Sequence, residues 1–170
     1  LEKNNINLLI DFDSTFITQE SLEEISRISL KTHPQKSTLI NKISVLTDKA
    51  MNGEISFSDA LETRINLLQA NNQHINKTIE FLKNNISQSF LSHKKLIKTI
   101  AHRCYIVSGG FREIIYPIVK SFNIDYNNIY ANDFIYKNKR IISIDISNPL
   151  ASDLGKVKVS MNIPGHNIMV

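Results

Sequence analysis

The chain has one cysteine, Cys104, and no tryptophan in 170 residues. A single thiol cannot close an internal disulfide, and Cys104 lies in an apolar run, so an apolar core must hold the fold, as suits a reducing compartment. Long hydrophobic runs are also missing, and no charged segment followed by an apolar block opens the chain. Neither a membrane span nor a secretory leader is expected. With four prolines and five glycines, no low-complexity linker or internal repeat divides the chain. The five histidines show no metal-site spacing. Basic clustering is scarce as well. The net charge is +4 and the pI near 9.1, but the lysines are dispersed, and the longest basic stretch is Lys137-Asn138-Lys139-Arg140. Without interleaved aromatics this argues against a nucleic-acid partner, while a basic balance suits a small anionic substrate. A cytoplasmic globular protein is expected. The first residue, Leu1, is not methionine, so the chain is read as trimmed, processed or cut from a longer polypeptide.

What is present begins with Asn7-Leu8-Leu9-Ile10-Asp11-Phe12-Asp13-Ser14-Thr15. An apolar run without polar interruption suits a strand buried on both faces of a parallel sheet. It ends in two carboxylates two residues apart, at the strand end where open α/β folds collect their ligands. From 17 to 86 only helices are predicted: 20–30, a second carrying Leu39, Ile43 and Leu46 after Pro34, a third capped by Ser56 or Ser58, and a fourth over 74–84. A helix over 92–101 follows, then a buried strand Cys104-Tyr105-Ile106-Val107-Ser108 running into Gly109-Gly110. A helix over 111–122 after that turn makes an anion site. A short strand at 128–131, a β-hairpin over 134–144, a weak helix over 152–161 and the start of another buried strand at 167–170 complete the pattern. The fold class is α/β: a core of alternating strands and helices with a parallel sheet, a helical insertion after the first strand and a small β-hairpin.

Asp11 has the position of a carboxylate nucleophile, and Asp13 could protonate a leaving oxygen and later deprotonate a water. A phosphoryl group is the natural electrophile, because its transfer asks mainly for positioning and charge neutralisation. The Ser108 hydroxyl, the Gly109 and Gly110 amides, a lysine and Mg²⁺ could supply these. Each feature has a plainer reading: a capped strand-to-loop junction for the aspartates, a tight turn for Ser108-Gly109-Gly110, solvated helix charges for Glu20 and Arg64, and core packing for Met51 and Phe57.

In order along the chain, Asp11-Phe12-Asp13-Ser14-Thr15, Ser108-Gly109-Gly110-Phe111 and Gly155-Lys156 resemble the motifs of the haloacid dehalogenase superfamily of phosphatases. Within it, Glu20 and Ala50-Met51-Asn52-Gly53-Glu54 with Phe57 and Arg64 resemble the cap of the phosphoserine phosphatase family. The similarity spans nearly the whole chain. It implies a Rossmann-type core at 1–16 and 87–170 and a helical cap at 17–86. The implied activity is Mg²⁺-dependent hydrolysis of O-phosphoserine to serine and phosphate, a step of L-serine biosynthesis, through an aspartyl-phosphate. By this resemblance Asp11 is nucleophile and Mg²⁺ ligand, and Asp13 is acid/base and gives its backbone carbonyl to the metal. Ser108, the Gly109 amide and Lys156 would hold the phosphate, with Lys158 an alternative if the β-branched segment Lys156-Val157-Lys158-Val159 shifts register. Arg64 would meet the substrate carboxylate and Glu20 its ammonium, while Met51 and Phe57 shape an apolar wall.

The superfamily's fourth motif, a Gly-Asp-Gly turn with a further acidic residue, would start where the sequence stops at Val170. Residues 1–170 alone are therefore expected to bind Mg²⁺ poorly and to be nearly inactive. The alternatives are another small-molecule phosphatase or phosphotransferase of the same superfamily, and a non-catalytic ligand-binding module that keeps the fold.

Overall fold

The computed structural model describes residues 6–170. Its main sheet holds four strands in the order β3-β2-β1-β6: β1 (Ile6–Ile10), β2 (Cys104–Phe111), β3 (Ile129–Asn132) and β6 (His166–Met169), every pair parallel. Alternation along these strands feeds two apolar layers, as a sheet covered on both faces requires. Ile10, Ile106, Ile129 and Ala131 join the large cluster that includes Ile114, Ile115 and Ile118 of helix α7 (Arg112–Val119). Leu9, Val107, Tyr105 and Tyr130 face the other way, onto Leu150, Ile163 and, from helix α8 (Gly155–Asn162), Val159. The apolar run before Asp11 is thus two-faced packing. Cys104 is buried.

Between β1 and β2 the chain is helical: α1 (Ser21–Ser29), α2 (Lys36–Met51), α3 (Phe57–Leu68) and α4 (Asn72–Lys83), then the short α5 (Gln88–Ser92) and α6 (Lys94–Thr99). The single helix expected over 92–101 is divided between α5 and α6 by His93, whose φ of −98° and ψ of 10° leave the helical region. Ser56 caps α3 by accepting from the Asp59 amide at 3.1 Å, and Asn71 and His74 form a reciprocal capping box on α4. Each such cap satisfies amides that the first helical turn leaves open. The two ends of the helical stretch are joined: Ile17 bridges Ile86, Thr18 N donates to Asn85 O at 2.9 Å and Ser87 N to Phe16 O at 2.9 Å.

The hairpin of β4 (Phe134–Lys137) and β5 (Arg140–Ile144) forms a separate sheet. It closes on Asn138 and Lys139, both at positive φ (50° and 65°), which sets the strand twist of a two-residue loop. Its loop end leans on the helical insertion, with Ile141 N donating to Ala70 O at 3.0 Å and Asn72 N to Lys139 O at 3.3 Å. The strand expected to be buried at 167–170 lies instead at the edge of the sheet, with Ile168 46% and Met169 47% exposed. No helix among the described residues is long and apolar enough to cross a membrane.

Candidate active site

Parallel pairing sets Ile10 opposite Ile106, so β1 and β2 end on the same side of the sheet and bring Asp11 to Ser108. The turn expected at Ser108-Gly109-Gly110 is instead the irregular last part of β2, which runs on to Phe111 before α7 starts at Arg112. Asp11 is extended (φ −70°, ψ 152°), and its Oδ1 accepts from the Phe12 amide at 2.8 Å. Asp13 is extended too (φ −67°, ψ 136°), and Ser14 then turns sharply through left-handed angles (φ 55°). That turn carries the Ser14 hydroxyl to Glu20 Oε1 at 2.6 Å. The chain re-enters at α1, whose first amide, Ser21 N, donates to Asp13 Oδ1 at 2.8 Å. Burial pushes the Asp13 carboxyl up to about 6; the hydrogen bonding of Ser21 pulls the other way, and the Glu20 and Asp11 charges add to the rise.

Opposite these carboxylates, the Ser108 hydroxyl is buried and accepts from the Gly110 amide at 2.9 Å. Because a hydroxyl has one proton and two lone pairs, this contact leaves the Ser108 proton for a further acceptor. A Cβ on Gly110 would stand 3.1 Å from both Asp13 Oδ2 and Ser108 Oγ, so glycine is what lets these oxygens converge. Lys156 Nζ lies 2.6 Å from Asp11 Oδ2. Lys158 is exposed and does not line the cavity, whereas Lys156 does. The β-branched residues of α8 are tolerated because Val159 packs into the second apolar layer.

The helices supply the facing wall. Arg64 on α3 is buried, its Nε without a hydrogen-bond partner, and burial lowers its guanidinium pKa while Glu23, Glu20 and Asp13 act against that shift. Phe57 starts α3, with its ring against Gly109 and its amide donating to Asp153 Oδ1 at 3.3 Å. Met51 ends α2 and is 82% exposed, so it forms rim rather than wall. Asp11, Asp13, Glu20, Met51, Phe57, Arg64, Ser108, Gly109 and Lys156 all line one cavity of about 460 Å³. The same cavity takes in Ser21, Glu23, Thr47, Asp48 and Leu61, which pattern reasoning did not nominate. Ser21 had a signal, its place beside Glu20 at a helix start; Thr47 and Asp48 face inward only through the packing of α2.

Among the described residues no group of three His, Cys, Asp or Glu is placed to hold a metal ion. The Asp11 carboxylate and the Asp13 carbonyl are hard oxygen donors. They fit a cation that takes the rest of its shell from phosphate and water, as Mg²⁺ does.

A phosphoserine phosphatase of Drosophila melanogaster is 28% identical over 152 residues, covering 87% of this chain and 52% of that protein. The Homo sapiens phosphoserine phosphatase is 28% identical over 153 residues, covering 88% of this chain and 63% of its own length. The chain therefore spans between about half and just under two thirds of these curated relatives. A phosphoserine phosphohydrolase-like protein from Francisella tularensis subsp. tularensis SCHU S4 has a solved structure with a TM-score of 0.77 and 29% identity, covering 96% of this chain and 76% of that one. The model of the haloacid dehalogenase-like hydrolases matches residues 8–169, from the first strand through the last, and the chain belongs to that family.

Proposed function

We propose that this chain is the larger part of a phosphatase that hydrolyses O-phosphoserine to serine and phosphate, with a cap formed by residues 17–86 over a core formed by 1–16 and 87–170, and that residues 1–170 alone are weakly active or inactive. The observation that carries this reading is the single cavity that joins Asp11, Asp13, Ser108 and Lys156 on one side to Glu20 and Arg64 on the other. An oxygen of Asp11 attacks phosphorus as the bond from phosphorus to the seryl oxygen breaks, and Asp13 donates its proton to that oxygen. Water then attacks the aspartyl-phosphate while Asp13 takes its proton, the bond between phosphorus and the Asp11 oxygen breaks, and phosphate leaves. A carboxyl near pKa 6 can both give and recover a proton close to neutrality. The Ser108 hydroxyl, the Gly109 amide and Lys156 hold the phosphoryl oxygens, donors that strengthen as charge builds there. The Asp11 carboxylate and the Asp13 carbonyl would hold Mg²⁺, which would supply neutralising charge beside the phosphate.

The amino acid end is a zwitterion, and the cap side of the cavity offers one reader for each charge. Arg64, desolvated and with an idle Nε, suits the carboxylate; Glu20, oriented by Ser14, suits the ammonium; Phe57 lines the apolar flank, with Met51 at its rim. The single buried thiol is in keeping with work in the cytoplasm. The test is phosphate release from O-phosphoserine and from phosphomonoesters lacking the carboxylate, by the full-length protein with Mg²⁺. Preference for phosphoserine, abolished turnover in Asp11→Asn and loss of the preference in Arg64→Ala are expected. Equal rates on both substrate classes would overturn the serine assignment, and an active Asp11→Asn would overturn the nucleophile.

A further inference from the structure

Asn132, the last residue of β3, is fully buried. Its Nδ2 donates to Gly109 O at 2.9 Å and to Leu150 O at 3.2 Å, while its Oδ1 has no partner. Both neighbours are carbonyls, which only the nitrogen end of the amide can serve, so the side chain has one orientation. An unpaired buried oxygen is a cost that an apolar residue of this size would not carry, and packing alone does not call for asparagine.

The two acceptors are telling. Gly109 C=O and Gly110 N–H belong to one rigid peptide unit. Asn132 holds its carbonyl, and Ser108 Oγ receives its N–H at 2.9 Å. Clamped at both ends, the plane cannot rotate, which keeps one Ser108 lone pair occupied and its proton turned away from Gly110. Leu150 sits in the turn at Pro149–Ala151. The carbonyl of Pro149 closes on Gly155, where a Cβ would come within 2.1 Å, and the next residue is Lys156, at 2.6 Å from Asp11.

We propose that Asn132 is a positioning residue that staples together the two segments presenting the phosphate-binding groups, setting the Ser108-Gly109-Gly110 end of β2 against the turn that leads into Lys156. This rests on the reading of Ser108, Gly109 and Lys156 as phosphate ligands. A matched control lies at the other end of the strand. Asn128 also bridges two carbonyls, Ala101 O at 3.5 Å and Cys104 O at 3.2 Å, but where β2 begins, away from the cavity.

The experiment is a titration of the full-length protein with inorganic phosphate, read by amide ¹H–¹⁵N shifts and alongside thermal melts. Asn132→Leu and the isosteric Asn132→Asp are expected to weaken phosphate binding about tenfold or more, whereas Asn128→Leu stays within about twofold of wild type at a similar loss of melting temperature. In the unmutated protein the Asn132 side-chain amide should shift on the same binding curve as the Gly110 amide. This measurement stands even if the variants at 132 fail to fold. A wild type that does not bind phosphate overturns the site reading and this inference together. Wild-type binding with unaffected Asn132 variants, an equal loss in Asn128→Leu, or a silent Asn132 amide overturns the inference alone.

Discussion

Gly155→Ala is the sharpest perturbation the packing offers. The added Cβ would sit 2.1 Å from Pro149 O, 2.8 Å from Pro149 C and 2.9 Å from Leu150 Cα, where real Cβ contacts essentially never fall under 3.0 Å. All three obstacles are backbone, so no side chain can swing aside. From 2.1 Å to 3.0 Å the chain must yield by about 0.9 Å, and forced overpacking of this kind costs about 1–3 kcal/mol. For a chain of this size that is a fall in Tm of roughly 3–10 °C. The displaced residue is the one before Lys156, whose Nζ stands 2.6 Å from Asp11. A shift approaching 1 Å in a positioned group can cost about a hundredfold in rate. Melting by circular dichroism and steady-state phosphoserine hydrolysis should therefore fall together, kcat far more than the Tm suggests. A Gly155→Ala protein that melts within about 1 °C of wild type and keeps turnover within about twofold would refute the reasoning.

Arg64→Ala should raise KM for phosphoserine about 10- to 100-fold, the loss of a charge-assisted hydrogen bond of about 1.5–3 kcal/mol, with kcat less affected; an unchanged KM contradicts the carboxylate role. Phe16 is fully buried against Phe12, Phe90 and Phe122, so Phe16→Ala should cost about 3–5 kcal/mol in urea unfolding, and a loss under about 1 kcal/mol speaks against that packing. Glu113 has its carboxyl raised above 4.5, mainly by burial, and its Oε2 lacks a partner. Its folded state prefers the neutral acid, so this contribution to stability is complete below 4.5 and is lost as pH rises through the raised value. Glu113→Gln, neutral throughout, should flatten the fall in urea midpoint with rising pH, and an identical slope would remove Glu113 as a cause.

Much of this protein was written locally. A strand buried on both faces reads as the unbroken apolar run before Asp11, and helix caps such as Ser56 follow from side chains bonding amides two or three residues away. The order of Asp11-Phe12-Asp13, Ser108-Gly109-Gly110 and Gly155-Lys156 along the chain is what carries the resemblance to the family. Tertiary structure decided what depends on residues far apart. It put Lys156 rather than Lys158 in the cavity beside Asp11, because α8 is anchored by Gly155 on Pro149 and by Val159 on the sheet. It raised the carboxyl of Asp13 by burying it, desolvated Arg64, left β6 at an exposed edge and leaned the hairpin on the helices. It also drew Asn132 to Gly109 and Leu150, a partnership with no trace in local pattern. Spacing and residue type state which groups are available; burial, and the pairing of distant backbone carbonyls, exist only once the chain has packed.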